Sequence, residues 1–406
     1  MQWRGLVKQL SHETLADLMR GEKITLYSGF DPTARSLHVG NLMPIMGLRR
    51  AQLHGHHPIA LVGGATGMIG DPSGKSSERN LLTPEVLAEN QAGLKSQLER
   101  FLDFDHATMV NNADWIGPMT FLEMLRDVGK HFSVNAMIAK DSVKTRLEER
   151  EHGISYTEFS YMIIQAYDFY HLNKHNGCRL QIGGSEQWGN ITAGIDLTRR
   201  LTGAEVYGMT LPLLLDASGK KFGKSEAGAV WLDAELTSTY DFYQYFVRVD
   251  DRDVIKVLRY LTTLDRATIE GLEAAHAAAP QAREAHRALA RFMTTLVHGE
   301  AAALEAEAAA QALFSHKAGA LPPGTPTHAF AEGKLAAGWP LVEALVESGL
   351  LPSKGAARRE IQGGGIYVND QRVGDAEHKL GTADLQDGMI RLRKGKKSHM
   401  VLQPGA

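Results

Sequence analysis

The sequence predicts an α/β protein in which a parallel sheet comes first, an all-helical region follows, and a small α+β unit comes last. Residues from about 20 to 215 alternate short apolar runs with helical patterns, as expected for a parallel sheet. Residues 233–315 are predicted to be helical, since strong helix formers dominate their Ala- and Glu-rich part. The segment LPPGTP at 321–326 indicates a linker. We therefore expect divisions at 1–215, 216–320, 321–334 and 335–406.

Strands and helices can be assigned in order through the first region. Apolar, β-prone runs predict strands at 24–28, 58–62, 107–111 and 179–183. Periodic segments predict helices at 42–53, 81–104 and 158–172, the second of which opens with Thr83-Pro84-Glu85 as a cap. Ligands of such sheets bind at the carboxyl ends of the strands, so polar residues there are candidates for a site.

The composition limits the classes of protein to which the chain can belong. Its 406 residues are 43% hydrophobic and 22% charged, which is typical of a folded globular protein. The net charge of -3 means that any contact with nucleic acid must come from local basic patches. The single Cys178 excludes an internal disulfide and a cysteine-based zinc site. No apolar run approaches a membrane span, so we expect a cytoplasmic protein with no membrane partner.

Two short motifs far apart in the chain indicate a site for a nucleoside triphosphate. HVGN at 38–41 lies in a glycine-punctuated loop between a strand and a helix, where unpaired helix amides favour phosphate. Thr33 and His38 can donate hydrogen bonds to phosphate oxygens, and Gly40 lets a nucleotide approach the backbone. The second motif, KFGKS at 221–225, supplies mobile cations for departing pyrophosphate.

Neither of two glycine-flanked segments is a true P-loop. The segments GDPSGKS at 70–76 and GKKFGKS at 219–225 have three residues between their glycines, where that loop needs four. Pro72 also removes a backbone N–H that a phosphate cradle would use. We therefore do not expect a P-loop NTPase.

Polar side chains at the strand ends predict a second part of the site. Asp71 follows a strand in a glycine-rich loop, where a carboxylate can bind an ammonium group. Three polar residues spaced by four and three share one face of a helix that should otherwise be apolar: Tyr161, Gln165 and Asp168. The strand at 179–183 brings three more: Gln181, Glu186 and Gln187. Their convergence predicts a pocket.

These motifs, taken in this order, resemble those of the bacterial tyrosyl-tRNA synthetases, a family of class I aminoacyl-tRNA synthetases. HVGN is similar to the HIGH signature and KFGKS to the KMSKS signature, and the similarity covers nearly the whole chain. Asn41 stands in place of the second His of HIGH, Glu186 in place of an Asp, and Phe222-Gly223 in place of Met-Ser. The resemblance implies a Rossmann-like catalytic domain and a C-terminal RNA-binding module.

The resemblance also implies a role for each matching residue. For tyrosine these are Tyr27, Asp71, Tyr161, Gln165, Asp168, Gln181 and Gln187. For ATP they are Gly29, Asp31, His38, Gly40, Asn41, Gly183, Glu186, Lys221, Lys224 and Ser225. The residues implied to be catalytic, by binding the ATP phosphates and the departing pyrophosphate, are Thr33, His38, Lys75, Arg79, Lys221 and Lys224.

The partners implied by the resemblance are L-tyrosine, ATP as a substrate with Mg²⁺, and tRNA(Tyr). No tightly bound cofactor and no protein-held metal are expected. The basic helix of the last unit would contact tRNA through Lys354, Arg358 and Arg359. A homodimer is expected, with its interface in the region 128–162.

Three other functions remain open on the sequence alone. A tryptophanyl-tRNA synthetase shares the fold and both signatures, although Tyr27 with Asp168 favours a phenol pocket. A non-enzymatic RNA-binding protein, such as a splicing factor, could retain the scaffold, although His38, Lys221 and Lys224 favour catalysis. A nucleotidyltransferase that makes a dinucleotide cofactor shares the HIGH-type loop, but the chain length and RNA module argue against it.

Overall fold

The structure is a computed structural model that describes residues 1–73, 82–148, 154–225, 228–314, 325–331, 333–395 and 398–405. The chain forms two compact units. The first consists of Met1–Ser238 with Tyr245–Val297, and the second of Thr239–Gln244 with His298–Ala406. None of the helices in these ranges has both the length and the apolar character needed to cross a membrane.

A six-stranded sheet lies in the first unit, with the strand order β1-β6-β5-β2-β3-β4. Its strands are β1 (Gln9–Leu10), β2 (Thr25–Phe30), β3 (His57–Val62), β4 (Thr108–Asn111), β5 (Cys178–Gly184) and β6 (Tyr207–Leu211). Strands β2 to β6 pair in parallel, which confirms the predicted α/β class. The edge strand β1 pairs antiparallel with β6 and was not predicted. A two-stranded ribbon follows, formed by β7 (Lys224–Ser225) and β8 (Gly228–Ala229).

Helices connect these strands and continue beyond them. Those up to residue 298 are α1 (Leu15–Gly21), α2 (Leu42–Leu53), α3 (Thr66–Ile69), α4 (Pro84–Leu98), α5 (Ala113–Ile116), α6 (Phe121–Glu123), α7 (Val134–Ile138), α8 (Asp141–Glu148), α9 (Tyr156–Asn176), α10 (Trp188–Thr202), α11 (Thr239–Val247), α12 (Val254–Leu261), α13 (Arg266–Ala278) and α14 (Glu284–His298). Short 3₁₀ or π segments occupy Gln2–Arg4, Val39–Asn41, Met124–Val128, Gly129–His131, Ser185–Gln187 and Pro280–Ala282.

Local signals fix the ends of the helices that carry the site. The Thr83 hydroxyl accepts a hydrogen bond from the amide of Val86 at the start of α4, as its predicted cap requires. Helix α9 begins in the same way at Ser155 and ends at Gly177, whose φ of 62° is left-handed. This helix packs extensively against α10. The polar stripe predicted on α9 is therefore held over the strand ends by a well-defined helix.

The second unit contains helix α15 (Glu300–Phe314) and a five-stranded sheet with the order β12-β11-β14-β15-β9. Its remaining elements are β9 (Thr327–Ala331), α16 (Gly333–Ala336), β10 (Trp339–Pro340), α17 (Leu341–Glu347), α18 (Lys354–Gln362), β11 (Ile366–Val368), β12 (Gln371–Val373), β13 (Lys379–Leu380), β14 (Ile390–Lys394) and β15 (Ser398–Gly405), with a 3₁₀ turn at Thr382–Asp384. The segment 321–334, predicted as a linker, thus contains a strand that pairs in parallel with β15. The four domain boundaries themselves remain predictions.

Candidate functional site

Asp168 lies at the bottom of the site and is almost completely buried, with 2% of its surface exposed. The Asn112 side-chain amide donates to its Oδ2 at 3.0 Å, and the indole N–H of Trp115 donates to its Oδ1 at 2.8 Å. Burial raises the pKa of Asp168 to about 7, although both hydrogen bonds act to lower that pKa. The carboxyl group is therefore fixed in orientation and sensitive to what binds beside it.

Tyr27 and Gln181 lie next to each other because β2 and β5 are paired in register at these residues. Both side chains are buried. The Tyr27 hydroxyl and the Gln181 Oε1 have no hydrogen-bond partner among the described residues. Burial, with Asp168 nearby, raises the pKa of Tyr27 well above its usual value, so its hydroxyl keeps the proton and remains a donor. Unpaired buried groups of this kind are costly unless a ligand pairs with them.

Asp31 lies at the carboxyl end of β2 and is held from two directions. Thr66 donates to its Oδ1 at 2.7 Å, and the Tyr161 hydroxyl donates to its Oδ2 at 2.9 Å. A Cβ at Gly63 would lie 2.2 Å from Asp31 Oδ1, so the close approach of these strands requires glycine there. Burial raises the pKa of Tyr161, and Asp31 and Asp71 raise it further, so this hydroxyl also stays protonated.

A hydrogen-bond network connects Asp71, the 3₁₀ turn after β5 and the polar stripe on α9. The Gln187 amide donates to Asp71 Oδ2 at 2.6 Å, and the Ser73 amide donates to Oδ1 at 2.8 Å. The amides of Gln165 and Gln187 lie 3.3 Å apart, from Nε2 to Oε1. Asn190 donates to both of their oxygens, at 3.0 and 3.2 Å. The helix face and the strand end predicted to converge thus do so.

Glu186 lies in the same turn, beside the glycines that end β5. Burial raises the pKa of its carboxyl group, Asp71 raises it further, and Lys221 lowers it. Its Oε2 is buried and lacks a hydrogen-bond partner within the part of the chain that the structure describes. A Cβ at Gly183 would lie 3.1 Å from Gln187 Cβ, so a side chain at this strand end would be crowded by Gln187. Gly29, in β2, is exposed.

The HVGN motif forms a compact turn that starts helix α2. The His38 Nδ1 accepts from the Gly40 amide at 3.0 Å, and the Asn41 side chain accepts from the His38 amide at 3.0 Å. Because Nδ1 accepts, His38 carries its proton on Nε2 when neutral. A Cβ at Gly40 would lie 2.7 Å from the His38 ring, so glycine is required here. Asn41 therefore shapes the turn with its backbone-bound side chain.

The two signature segments lie against each other. The Val39 amide donates to the Val230 carbonyl, and the Leu232 amide to the Leu37 carbonyl, both at 2.9 Å. Gly223 adopts a φ of +95°, and a Cβ there would lie 2.8 Å from the Gly40 amide nitrogen. Its own amide donates to the Tyr245 hydroxyl at 2.7 Å. Residues distant in sequence therefore form one end of a single site.

The structure describes only some of the other residues predicted to contact phosphate. Thr33 and Lys221 are exposed. Lys224 and Ser225 form strand β7, and the structure describes their backbone but not their side chains. Lys75 and Arg79 lie outside the described residues. The phosphate-binding roles predicted for these six residues therefore remain predictions.

The basic helix predicted to contact tRNA is α18, in the second unit. Ser353 caps it by accepting from the Ala356 amide at 3.2 Å. Lys354, Arg358 and Arg359 are all exposed. Lys354 also pairs with Glu343 at 2.7 Å, which is an exposed ion pair that contributes little to stability. These cations are thus available to phosphate.

Five residues of the site were missed by the sequence analysis: Thr66, Asn112, Trp115, Asn190 and Tyr245. A usable signal existed for two of them, because Asn112 and Trp115 directly follow β4 and therefore lie at the ligand-binding edge of the sheet. The others act by holding a neighbour from a helix or loop, which a sequence pattern does not show.

The charges define what this pocket can bind. Four carboxyl groups are gathered in the pocket, those of Asp31, Asp71, Asp168 and Glu186. Lys221 of the signature loop lies close enough to Glu186 to lower the pKa of its carboxyl group. Carboxylates in a partly buried pocket favour a cation such as an α-ammonium group. The cationic, glycine-rich loop favours phosphate. An amino acid beside a nucleotide satisfies both requirements.

Known proteins match the chain along nearly its whole length. A family model described as "tRNA synthetases class I (W and Y)" matches residues 19–315, and one described as "Tyrosine--tRNA ligase SYY-like C-terminal domain" matches residues 324–402. The tyrosine–tRNA ligase of Opitutus terrae is 53% identical, with 99% of this chain and 98% of that protein covered. The tyrosine–tRNA ligase of Bacillus caldotenax is 51% identical with the same coverage.

A solved structure agrees with these matches. The C-terminally truncated mitochondrial tyrosyl-tRNA synthetase of Aspergillus nidulans superposes with a TM-score of 0.70 at 31% identity, covering 77% of this chain and 92% of that one. This structural match, the two family models and the full-length identities all agree with the resemblance found in the motifs. The chain belongs to the tyrosine–tRNA ligase family of class I aminoacyl-tRNA synthetases.

Proposed function

We propose that the chain activates L-tyrosine with ATP to form tyrosyl-adenylate and pyrophosphate, and then transfers tyrosine to the 3′-terminal ribose of tRNA(Tyr). The observation that carries this proposal is the buried Tyr27 hydroxyl, which has no hydrogen-bond partner among the described residues. Asp168 lies close enough to it to raise the pKa of Tyr27. A phenol hydroxyl can accept from Tyr27 and donate to Asp168 at once. Phenylalanine would leave both groups unpaired, and tryptophan would present its N–H on a bicyclic ring.

The remaining tyrosine groups have partners in the same pocket. The α-ammonium group would bind Asp71, Tyr161 and Gln165, since the first supplies charge and the others supply oxygen atoms. Gln187 already donates to Asp71 at 2.6 Å and would place the tyrosine carboxylate. Gln181 would complete the pocket through its unpaired oxygen.

ATP would bind along the edge formed by the two signatures, with its adenosine contacting Gly40, Asn41, Gly183 and Glu186. Gly29 and Asp31 would line the path between nucleotide and tyrosine. Thr33 and His38 would donate to the γ-phosphate region. The cations Lys75, Arg79, Lys221 and Lys224, with Ser225, would surround the β- and γ-phosphates of ATP, which would enter as its magnesium complex.

Catalysis follows from positioning and charge. The tyrosine carboxylate is already ionised, so it attacks the α-phosphate in line without a general base. The bond between the α-phosphorus and the bridging oxygen breaks, and pyrophosphate leaves with the negative charge. The lysines of the KFGKS segment would stabilise that charge as it develops. His38 donates from Nε2 because its Nδ1 is occupied by the Gly40 amide.

We also propose contacts with tRNA and with a second copy of the chain. The exposed cations of α18 would neutralise tRNA phosphates. Exposed apolar side chains are concentrated near the predicted interface at 128–162, which supports a homodimer. Those between residues 121 and 156 are Phe121, Leu122, Leu125, Val134, Ile138, Leu147 and Tyr156. The cytoplasm remains the expected compartment.

Amino-acid-dependent ATP–pyrophosphate exchange without tRNA tests the activation step. Exchange with tyrosine, and not with phenylalanine or tryptophan at equal concentration, is the expected result. Exchange with tryptophan would overturn the roles of Tyr27 and Asp168. No exchange with any of the three, in protein shown to be folded by circular dichroism, would favour a non-enzymatic RNA-binding protein.

A further inference from the structure

A second cluster of polar side chains lies in the helical part of the first unit and takes no part in the proposed reaction. Asp251 lies in the turn between α11 and α12, His276 lies near the end of α13, and His286 lies in α14. One carboxylate oxygen and one nitrogen from each ring all lie within 4.8 Å of one another. The three residues thus converge from three separate segments of the chain.

The hydrogen bonds of the two rings define which nitrogen offers a lone pair. His276 Nε2 lies 3.0 Å from the Asp251 carbonyl oxygen, and His286 Nε2 lies 3.0 Å from the Val249 carbonyl oxygen. A carbonyl can only accept, so each Nε2 carries a proton and each Nδ1 keeps a lone pair. Both Nδ1 atoms are buried, and neither has a hydrogen-bond partner in the described part of the chain. The centroids of the two rings lie 5.5 Å apart. Two buried lone pairs this close together indicate a site for a group that accepts electron pairs, such as a metal ion.

The carboxylate of Asp251 already has two neighbours, a neutral imidazole and a charged guanidinium. Its Oδ1 lies 3.1 Å from His286 Nε2 and 3.5 Å from the Arg283 guanidinium. The Asp251 side chain is 54% exposed, so the contact with Arg283 is a weak surface pair that a more strongly charged partner can replace. Arg283 has a second partner in the Val247 carbonyl, which would keep its guanidinium in place.

We propose that Asp251, His276 and His286 form a binding site for a divalent transition-metal ion of the zinc class. Imidazole and carboxylate donors suit zinc, and three protein ligands with water in the fourth position are a common arrangement. Backbone carbonyls that hold Nε2–H are the outer contacts that orient metal-binding histidines. Ligand atoms on a tetrahedral zinc are about 3.3 Å apart. The exposed Asp251 side chain must therefore leave its position 3.1 Å from the protonated His286 Nε2 and turn towards the two Nδ1 atoms. The bound ion would join the turn after α11 to α13 and α14.

Metal binding to the full-length chain, first freed of metal with a chelator, tests this site. Equilibrium dialysis with Zn²⁺ alone should give one ion per chain, Co²⁺ should give visible absorption bands of a tetrahedral complex, and zinc should raise the melting temperature. His276→Gln and Asp251→Asn should each weaken zinc binding at least about tenfold, because each removes one of three ligands. The exposed His54 makes His54→Gln the matched control, which should bind zinc like the unaltered chain.

Two results would overturn the proposal. One is the absence of saturable zinc binding. The other is binding that His276→Gln and Asp251→Asn leave unchanged, which would mark an adventitious ion only. Protection of the histidines from diethyl pyrocarbonate, mapped by mass spectrometry, repeats the test without any substitution. Zinc should protect the half-buried His276 and leave His54 reactive, and equal labelling of His276 with and without zinc would contradict the site.

Discussion

Tyr27→Phe removes one oxygen atom from the bottom of the pocket and leaves the ring in place. The Tyr27 side chain is 1% exposed, and its ring lies 5.4 Å from that of Phe169. Because the hydroxyl lacks a partner within the described residues, the free protein loses no hydrogen bond with it. The same change removes the only part of Tyr27 that can recognise a phenol. Stability and substrate recognition should therefore respond in opposite directions.

The size of each effect follows from hydrogen-bond energies. An unpaired buried hydroxyl costs about 1–3 kcal/mol, so the unfolding free energy of Tyr27→Phe should equal or exceed that of the unaltered chain. A neutral hydrogen bond contributes about 0.5–1.5 kcal/mol, so tyrosine should bind roughly two- to thirteen-fold more weakly. Phenylalanine, which never bonds with this hydroxyl, should bind with unchanged affinity. The preference for tyrosine over phenylalanine should therefore fall by the same factor.

The assay combines urea unfolding with tyrosine- and phenylalanine-dependent pyrophosphate exchange. Tyr207→Phe is a matched control, since Tyr207 is also buried in the sheet, on β6, but has no role in the proposed pocket. It should leave the KM for tyrosine unchanged. The reasoning is refuted if Tyr27→Phe leaves the ratio of kcat/KM for the two amino acids unaltered, or if it lowers stability by more than about 1 kcal/mol.

Three further changes test other parts of the structure. Gly223→Ala should slow exchange by roughly tenfold with little effect on tyrosine binding, because it combines backbone strain with a Cβ that would lie 2.8 Å from the Gly40 nitrogen. Between about pH 4 and 7, folded Asp168 keeps a proton that the unfolded chain has lost, so its contribution to stability falls as the pH rises. Asp168→Asn should remove this fall of the unfolding free energy with pH, as measured by urea unfolding. Phe121→Asp should shift a dimer towards monomer in sedimentation, because Phe121 is 65% exposed near the predicted interface.

Each of these changes has a control or a contradicting result. Gly219→Ala places a side chain at a similar φ of +82° with open space around it, so an equal loss of exchange there would assign the effect to strain alone. An Asp168→Asn unfolding curve parallel in pH to that of the unaltered chain would contradict the raised pKa. Leu53→Asp alters another exposed apolar residue, at 60% exposure, and should leave the sedimentation unchanged.

The sequence predicted those parts of the fold and site that depend on local pattern. Apolar runs ended by glycine gave β2 and β3 to within a few residues, and the 42–53 prediction coincides with α2. The spacing of Tyr161 and Asp168 identified a polar helix face, and both side chains do make polar contacts in the pocket. Periodicity is read along one segment, so such features are visible without knowledge of the fold.

Features that depend on contacts between segments were missed. Strand β1 has two residues, too few for any alternation, and exists because β6 offers it an edge. Strand β9 was assigned to a linker because the neighbouring prolines dominate the local pattern, whereas pairing with β15 decides its conformation. Asn112 and Trp115 hold Asp168 across the sheet edge, and nothing in their own segment indicates that partner.

The pairing of residues 37–39 with 230–232 has a consequence for synthesis on the ribosome. Val230 and Leu232, which pair with the first signature segment, follow β6, the last strand of the six-stranded sheet to be made. At roughly 5–20 residues per second, synthesis from Leu37 to Leu232 takes about 10 to 40 seconds. Throughout that time the first signature segment lacks these backbone partners, so the edge that it forms with residues 230–232 cannot exist before translation has passed Leu232.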